Sequence, residues 1–280
     1  MIALLCAPFV VAVIVGRVGP RLAHNMQPRV ATWFLTLSSV VAATSCAASL
    51  GLAGWFAVAD LAWVARRGDW STVALARESP IPMPVATAAL FVLVVMAVVT
   101  GYRVVGGSRR LARAHAAHRG ADGELLVVQT DEVDAYALPR SIRHRGLVVV
   151  TRGLLTALGE PAHRRAVLEH ERAHLRGHHH LFRVAVQVAG TMNPLLRPNG
   201  RAIEDALERW ADRQAARQID PLVVAEALVL VARASAQSGK CVARNSRPRG
   251  VASRDASTGS SRLPTGGHWS HAYWSFPRSC

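Results

Sequence analysis

The sequence predicts a mostly α-helical protein in which a multi-span membrane domain precedes a cytoplasmic α+β domain. Three observations support this fold class. Half of the residues are hydrophobic although the formal charge is +15, the apolar residues of the first hundred positions form three long runs, and the second half mixes short β-branched runs with amphipathic segments. This combination is more typical of a membrane protein with basic cytoplasmic parts than of a soluble enzyme.

Three uncharged runs, at about 1–16, 31–58 and 81–101, are the predicted spans of a membrane domain covering residues 1–102. A hydrocarbon core requires about 20 apolar residues per helix, so the second and third runs are long enough and the first is slightly short. The first run could be a cleaved signal peptide, but it lacks a basic start and Arg17 follows it directly, which favours a retained span. We therefore expect an integral protein of the cell (inner) membrane.

Basic residues predict the orientation of these spans. Arg17, Arg21 and Arg29 lie between the first two spans, and a basic linker at 103–123 follows the third. Because loops rich in Lys and Arg remain in the cytoplasm, we expect both segments and the domain after them inside the cell. The four cysteines show no spacing typical of disulfides or of a metal site, which agrees with a reduced compartment. The expected partners include the lipid bilayer and exclude nucleic acid.

The downstream domain is predicted at residues 124–236 and a tail at 237–280. The tail is basic, rich in Ser, Gly and Pro and without periodicity, so we expect it to be disordered. The apolar segment 181–196 contains polar residues and is either a membrane-entering segment or a core helix. The other predicted elements are strands at 124–129 and 147–151 with residues 136–139 between them, and helices at 153–158, 161–174, 206–216 and 221–232.

The stretch His170-Glu171-Arg172-Ala173-His174 is the most informative motif in the chain. On a helix the two histidines lie one turn apart on the same side, so both imidazoles can bind one Zn²⁺ while Glu171 lies beside its open coordination position. The surrounding residues predict that helix, because Pro161 suits a first turn and apolar residues form a stripe along it. This geometry is typical of a metallopeptidase with Glu171 as the general base.

A catalytic zinc ion has three protein ligands and one water, and two residues compete as the third ligand. Read forward with Gly177 and His180, the motif matches the metzincin spacing, in which a glycine turn brings a third histidine to the metal. His180, however, ends a run of three histidines, where such a match arises easily by chance. Downstream, Glu208 and Asp212 lie one turn apart on one face of a predicted helix, as a ligand and a carboxylate that orients a ligand histidine would.

Together, the HExxH stretch and the ExxAD pattern at residues 208–212 resemble membrane-embedded gluzincins. The similar families are the BlaR/MecR-type antirepressor peptidases and the related HtpX-type proteases, and the resemblance runs from the strand at 147–151 to about residue 231. It implies a zincin-like domain in which zinc is the cofactor and Glu171 is the base. The implied zinc ligands are His170, His174 and Glu208, with Asp212 orienting a ligand histidine.

This resemblance implies a membrane-anchored zinc endopeptidase that cleaves a protein or peptide substrate, such as a regulator or repressor, at the cytoplasmic face. The alternatives are a membrane protein quality-control protease of the HtpX type and a catalytically silent membrane receptor or scaffold. The strand at 147–151 is the candidate edge strand for an extended substrate, since main-chain pairing gives affinity without demanding one sequence. The candidates for a second oxyanion donor are Tyr136, His178 and Arg209.

Overall fold

The computed structural model of the chain describes residues 2–78, 81–118, 123–141 and 145–245. They form two compact units, residues up to 110 with 179–210, and residues 111–178 with those from 211 onward. The elements in chain order are α1 (Ile2–His24), α2 (Pro28–Ala59), α3 (Ala62–Gly68), α4 (Thr72–Glu78), α5 (Met83–Ala117), β1 (Leu125–Val128), β2 (Ala135–Leu138), β3 (Leu147–Thr151), α6 (Arg152–Ala157), α7 (Pro161–Arg176), α8 (His179–Met192), a 3₁₀ turn (Pro194–Leu196), α9 (Arg197–Ala215) and α10 (Pro221–Asn245).

Three of these helices, α1, α2 and α5, are long and apolar enough to cross a membrane. Large apolar side chains are exposed along all three, including Ile14, Val41 and Phe91. Lipid stabilises an exposed apolar surface of this extent, whereas water does not. The prediction of a mostly helical chain with three candidate membrane spans is therefore confirmed.

The helices extend beyond the predicted spans. α1 continues past residue 16 to His24, and α5 continues past residue 101 to Ala117, so most of the predicted linker at 103–123 is helical. Arg, Ala and Leu are good helix formers, and a helix therefore does not need to end where its apolar run ends. α10 likewise continues to Asn245, and the predicted start of the tail at 237 lies within it. Residues 246–280 lie outside the described part of the chain.

In the first unit, α8 packs along α2. Asn193 donates from Nδ2 to Sγ of Cys46 at 3.3 Å, and Asn199 donates from Nδ2 to Oγ of Ser39 at 2.8 Å. Small apolar side chains of α1, α2 and α8 form a buried cluster beside these bonds. The segment 181–196, for which the sequence left two possibilities, thus packs against a candidate membrane-spanning helix.

The second unit is built on a three-stranded sheet in the order β1-β3-β2, in which β3 is parallel to β1 and antiparallel to β2. Val148 and Val150 of β3 pack into a core with residues of α6, α7 and α10. On the opposite face, Leu147 and Val149 pack with Leu138 and with the end of α5. Because β3 is buried on both faces, its sequence is a continuous apolar run and not an alternating one.

Candidate metal centre

Helix α7 presents His170 and His174 on one buried face. Pro161 occupies its first turn, and the helix ends at Arg176, so the helix predicted at 161–174 is confirmed. Its apolar side, including Val167, packs into the core beside β3. The Nε2 atoms of the two histidines lie 3.1 Å apart, and both side chains are buried. The i, i+4 spacing therefore brings two imidazole nitrogens to one point, as the motif predicts.

Asp212 contacts the first of these histidines. Its Oδ1 atom lies 3.0 Å from Nδ1 of His170. If the proton of the neutral imidazole is on Nδ1, beside this carboxylate, then Nε2 of His170, the atom that lies near His174, carries a lone pair. The contact is the one that the sequence prediction requires of Asp212, and its effect on metal binding stays a prediction.

Glu208 completes a group of potential metal ligands. Within the described residues, the ligand atoms of His170, His174 and Glu208 all lie within 4.8 Å of one another. His180, the alternative third ligand, is not a member of this group. Two imidazoles and one carboxylate form a donor set that catalytic zinc sites use, and they leave a fourth position open.

The spacing of the histidines suits zinc. Two nitrogens bound to a tetrahedral zinc ion at 2.0–2.1 Å stand about 3.3 Å apart, close to the 3.1 Å between the two Nε2 atoms here. When both rings carry their proton on Nδ1, the two Nε2 lone pairs repel each other at this distance, and a cation between them turns that repulsion into attraction. The residues present therefore fit a zinc ion.

Arg183 holds the carboxylate of Glu208. Its Nη2 donates to Oε1 of Glu208 at 2.8 Å, while its Nε donates to Oε2 of Glu204 at 2.7 Å. Only 13% of the Arg183 side chain is exposed, whereas 41% of the Glu208 side chain is exposed, so the donor of these charge-assisted bonds is more shielded from water than the acceptor. In the sequence, Arg183 is only a polar interruption of an apolar segment. No local signal identifies its role, because its partner Glu208 lies 25 residues away.

The three consecutive histidines after α7 have different surroundings. His178 adopts a left-handed backbone conformation with φ of 51°, and its Nδ1 lies 3.1 Å from the carbonyl of Arg176. His179 is fully buried, with its ring 4.7 Å from that of Trp210. His180 follows within α8. Of the three, only His178 lies between the two helices, whereas His179 and His180 begin α8, and His179 is a packing residue.

Asp134 is a partly buried carboxylate that is electrostatically coupled to the proposed base Glu171. Burial raises the pKa of Asp134 to about 6; a hydrogen bond from the Ala135 amide lowers it, and the nearby charges of Glu171 and Glu132 raise it. Such coupling requires Asp134 to be close to Glu171. The sequence context of Asp134 does not indicate this location, because it depends on the pairing of β2 with β3.

Two of the candidate oxyanion donors, Tyr136 and Arg209, have hydrogen-bonding contacts with other groups of the protein. Tyr136 lies on β2, and its hydroxyl is 3.3 Å from Nε2 of His118. Arg209 donates to the carbonyls of Ala23 and His24 at the end of α1. The guanidinium of Arg209 is thus engaged in holding a helix end.

The prediction that the strand at 147–151 is an edge strand is wrong. β3 is the central strand, with β1 on one side and β2 on the other, so its main-chain groups already pair within the sheet. β2 lies at the edge of the sheet formed by the described residues, and it packs against α7.

Comparison with known proteins agrees with this site. A profile of Peptidase family M48 matches residues 107–249. The chain belongs to peptidase family M48. Its members are metallopeptidases, generally zinc-dependent, so this M48 peptidase, with its three apolar helices, is a membrane-associated metallopeptidase. The match does not confirm the BlaR/MecR-type or the HtpX-type assignment, and no curated protein or solved structure matches the chain.

Proposed function

We propose that this M48 peptidase is a zinc endopeptidase of the inner membrane that hydrolyses a peptide bond of a protein substrate at the cytoplasmic face. The observation that carries the proposal is the meeting of the His170, His174 and Glu208 ligand atoms around one point. The basic residues between the first two spans and after the third support the cytoplasmic orientation. The substrate is a cytosolic regulator, such as a repressor, or another membrane protein.

The ligand residues in this proposal are His170, His174 and Glu208. A zinc ion held by them supplies Lewis acidity, which polarises a carbonyl oxygen and makes water more acidic. Asp212 keeps the ring of His170 in the tautomer and orientation that leave Nε2 available. Arg183 restricts the carboxylate of Glu208 to one orientation.

Glu171 is the proposed general base. It follows His170 directly on α7, so it lies in the helical turn that carries the two histidine ligands. It accepts a proton from the water molecule that attacks the scissile carbonyl carbon. The protonated carboxyl then donates that proton to the amide nitrogen as the C–N bond breaks, which releases a neutral amine.

The edge strand β2 is the proposed binding site for the substrate backbone. It packs against α7, which carries His170, His174 and Glu171. An extended peptide can pair with the outer edge of β2 through main-chain hydrogen bonds, which gives affinity with little demand on sequence. This role replaces the one predicted for β3.

Replacement of the base tests the proposal. In the purified full-length chain, we expect Glu171→Gln to lower cleavage of a peptide library by about 10²- to 10⁴-fold, because a general base contributes a factor of this size. Zinc content, measured by atomic emission, should stay at the wild-type level, since Glu171 is not a proposed ligand. Mass spectrometry of the library identifies the cleaved bonds.

Glu169→Gln is the matched control. Glu169 lies on the same helix, but its carboxylate accepts hydrogen bonds from Arg172 and Arg176, both at 2.7 Å. We expect this variant to retain wild-type cleavage. Cleavage that survives Glu171→Gln would contradict the assigned base, and a wild-type protein that binds zinc but cleaves nothing would favour a silent receptor or scaffold.

A further inference from the structure

Arg209, the residue after the proposed ligand Glu208, is bonded to the end of α1. Its Nη1 donates to the carbonyl of His24 at 3.0 Å and its Nη2 to the carbonyl of Ala23 at 3.3 Å. Its Nε donates to the carbonyl of Asp205 within α9 at 3.3 Å. The last carbonyls of a helix carry the negative end of its dipole, so a guanidinium is complementary to them. Arg209 therefore joins α9 to a candidate membrane-spanning helix beside Glu208.

Trp210 anchors the same turn of α9. The centroid of its ring lies 4.7 Å from the ring centroid of His179 and 6.1 Å from that of Phe182, and both residues are on α8. The guanidinium carbon of Arg29, near the start of α2, lies 5.9 Å from the ring centroid. Two consecutive residues after Glu208 are thus held by α1, α2 and α8.

The residues from Leu195 to Asn199, which precede Glu208, also pack against membrane-spanning helices. A Cβ atom built on Gly16 of α1 would lie 2.0 Å from the carbonyl oxygen of Leu195, so only glycine permits this approach. Asn199, near the start of α9, is fully buried and donates to Ser39 of α2. The segment from Leu195 to Trp210 therefore contacts α1 and α2 near both of its ends.

We propose that α1 and α2 position Glu208, that Arg209 is a positioning residue, and that the membrane-spanning helices thereby set the affinity of the centre for zinc. The inference rests on the proposed function in taking Glu208 as a metal ligand. Contacts that orient a ligand commonly change metal affinity by about 10- to 100-fold. Arg209 sits one peptide bond from the ligand, where a small shift of the helix moves the carboxylate directly.

Zinc affinity of the full-length chain tests this inference. The protein is purified in detergent, stripped of metal and titrated with zinc against a chelating fluorescent indicator. We expect Arg209→Met, which keeps the side-chain length but has no donor, to weaken zinc binding by about 10-fold or more. Arg209→Lys, which keeps the charge and can donate to a carbonyl, should restore part of the loss.

Arg213→Met is the matched control, because it removes the same charge from an exposed position one turn further along α9. We expect its affinity to be that of the wild type. Equal affinities for Arg209→Met and Arg213→Met would overturn the inference. A loss of affinity matched by an equal loss of stability in the metal-free protein would also overturn it, by assigning Arg209 to fold stability alone.

A second pair of variants tests a different contact between α1 and the segment that leads to Glu208. Gly16→Ala should weaken zinc binding because the added methyl group displaces Leu195, whereas Gly101→Ala on α5 adds a methyl group where nothing lies within 4 Å. If Arg209→Met fails to fold, the zinc affinities of Gly16→Ala and Gly101→Ala test the inference. Equal affinities for these two variants would then overturn it. Since the readout is zinc affinity, a wild type that binds zinc without cleaving peptides contradicts only the proposed function.

Discussion

The two parts of the proposed metal centre differ in what determines their position. His170 and His174 lie one turn apart on α7, which puts both rings on the same side of the helix, and their Nε2 atoms lie 3.1 Å apart. Glu208 is held by Arg183, 25 residues earlier, and its neighbour Arg209 is bonded to His24, 185 residues earlier. The histidine pair is therefore a local motif, whereas the position of the carboxylate depends on contacts between residues that are distant in the sequence.

Among these predictions, replacement of Glu208, the proposed third ligand, has the largest expected effect on zinc affinity. We expect Glu208→Ala to weaken zinc binding by more than about 100-fold, beyond the range for residues that only orient a ligand. His180→Ala should bind zinc as the wild type does, because His180 is outside the group of ligand atoms. Zinc titration of both purified variants measures the difference.

The opposite result would remove the contrast between the two parts. If His180→Ala loses zinc and Glu208→Ala retains it, the centre has the metzincin spacing. All three ligands would then lie within eleven residues of one another, between His170 and His180.

Replacement of Asp212 has the next largest expected effect on zinc affinity. Asp212 contacts His170, which belongs to the histidine pair on α7. Asp212→Asn keeps the side-chain shape but removes the charge that faces Nδ1 of His170. We expect zinc affinity to fall by about 10- to 100-fold. Asp205→Asn, at an exposed position two turns earlier on α9, is the control. Equal affinities for the two variants would show that the Asp212 contact does not support the ligand.

The sequence predicts well those features that depend on neighbouring residues. The start of α7 follows from Pro161, and the strand at 147–151 follows from its apolar run, and both have the predicted bounds to within two residues. The edge role assigned to that strand is wrong because strand order depends on pairing with distant residues. A signal was nevertheless present: an apolar run without alternation indicates a strand buried on both faces, which is typical of a central strand.

Long-range contacts account for what the sequence does not predict. Arg183 and Arg209 are two of many arginines in this basic chain, and only the fold shows that one holds Glu208 and the other holds the end of α1. The ends of α1 and α5 also extend past their apolar runs, because helix formation does not require apolar residues.

Replacement of Asp134 has the smallest expected effect, and the property that it changes is the stability of the fold. Its pKa in the folded chain is about 6, above the value for an exposed aspartate, so the folded state binds its proton more tightly than the unfolded state does. Stability should then fall as the pH rises from about 4 to about 6 and stay reduced above it. Asp134→Asn removes this penalty and should stabilise the metal-free protein by roughly 1–2 kcal/mol at pH 8, and hardly at all at pH 4. Thermal unfolding at the two pH values measures the difference, with Asp131→Asn at an exposed position as control; an equal gain at both would show that ionisation of Asp134 does not destabilise the fold.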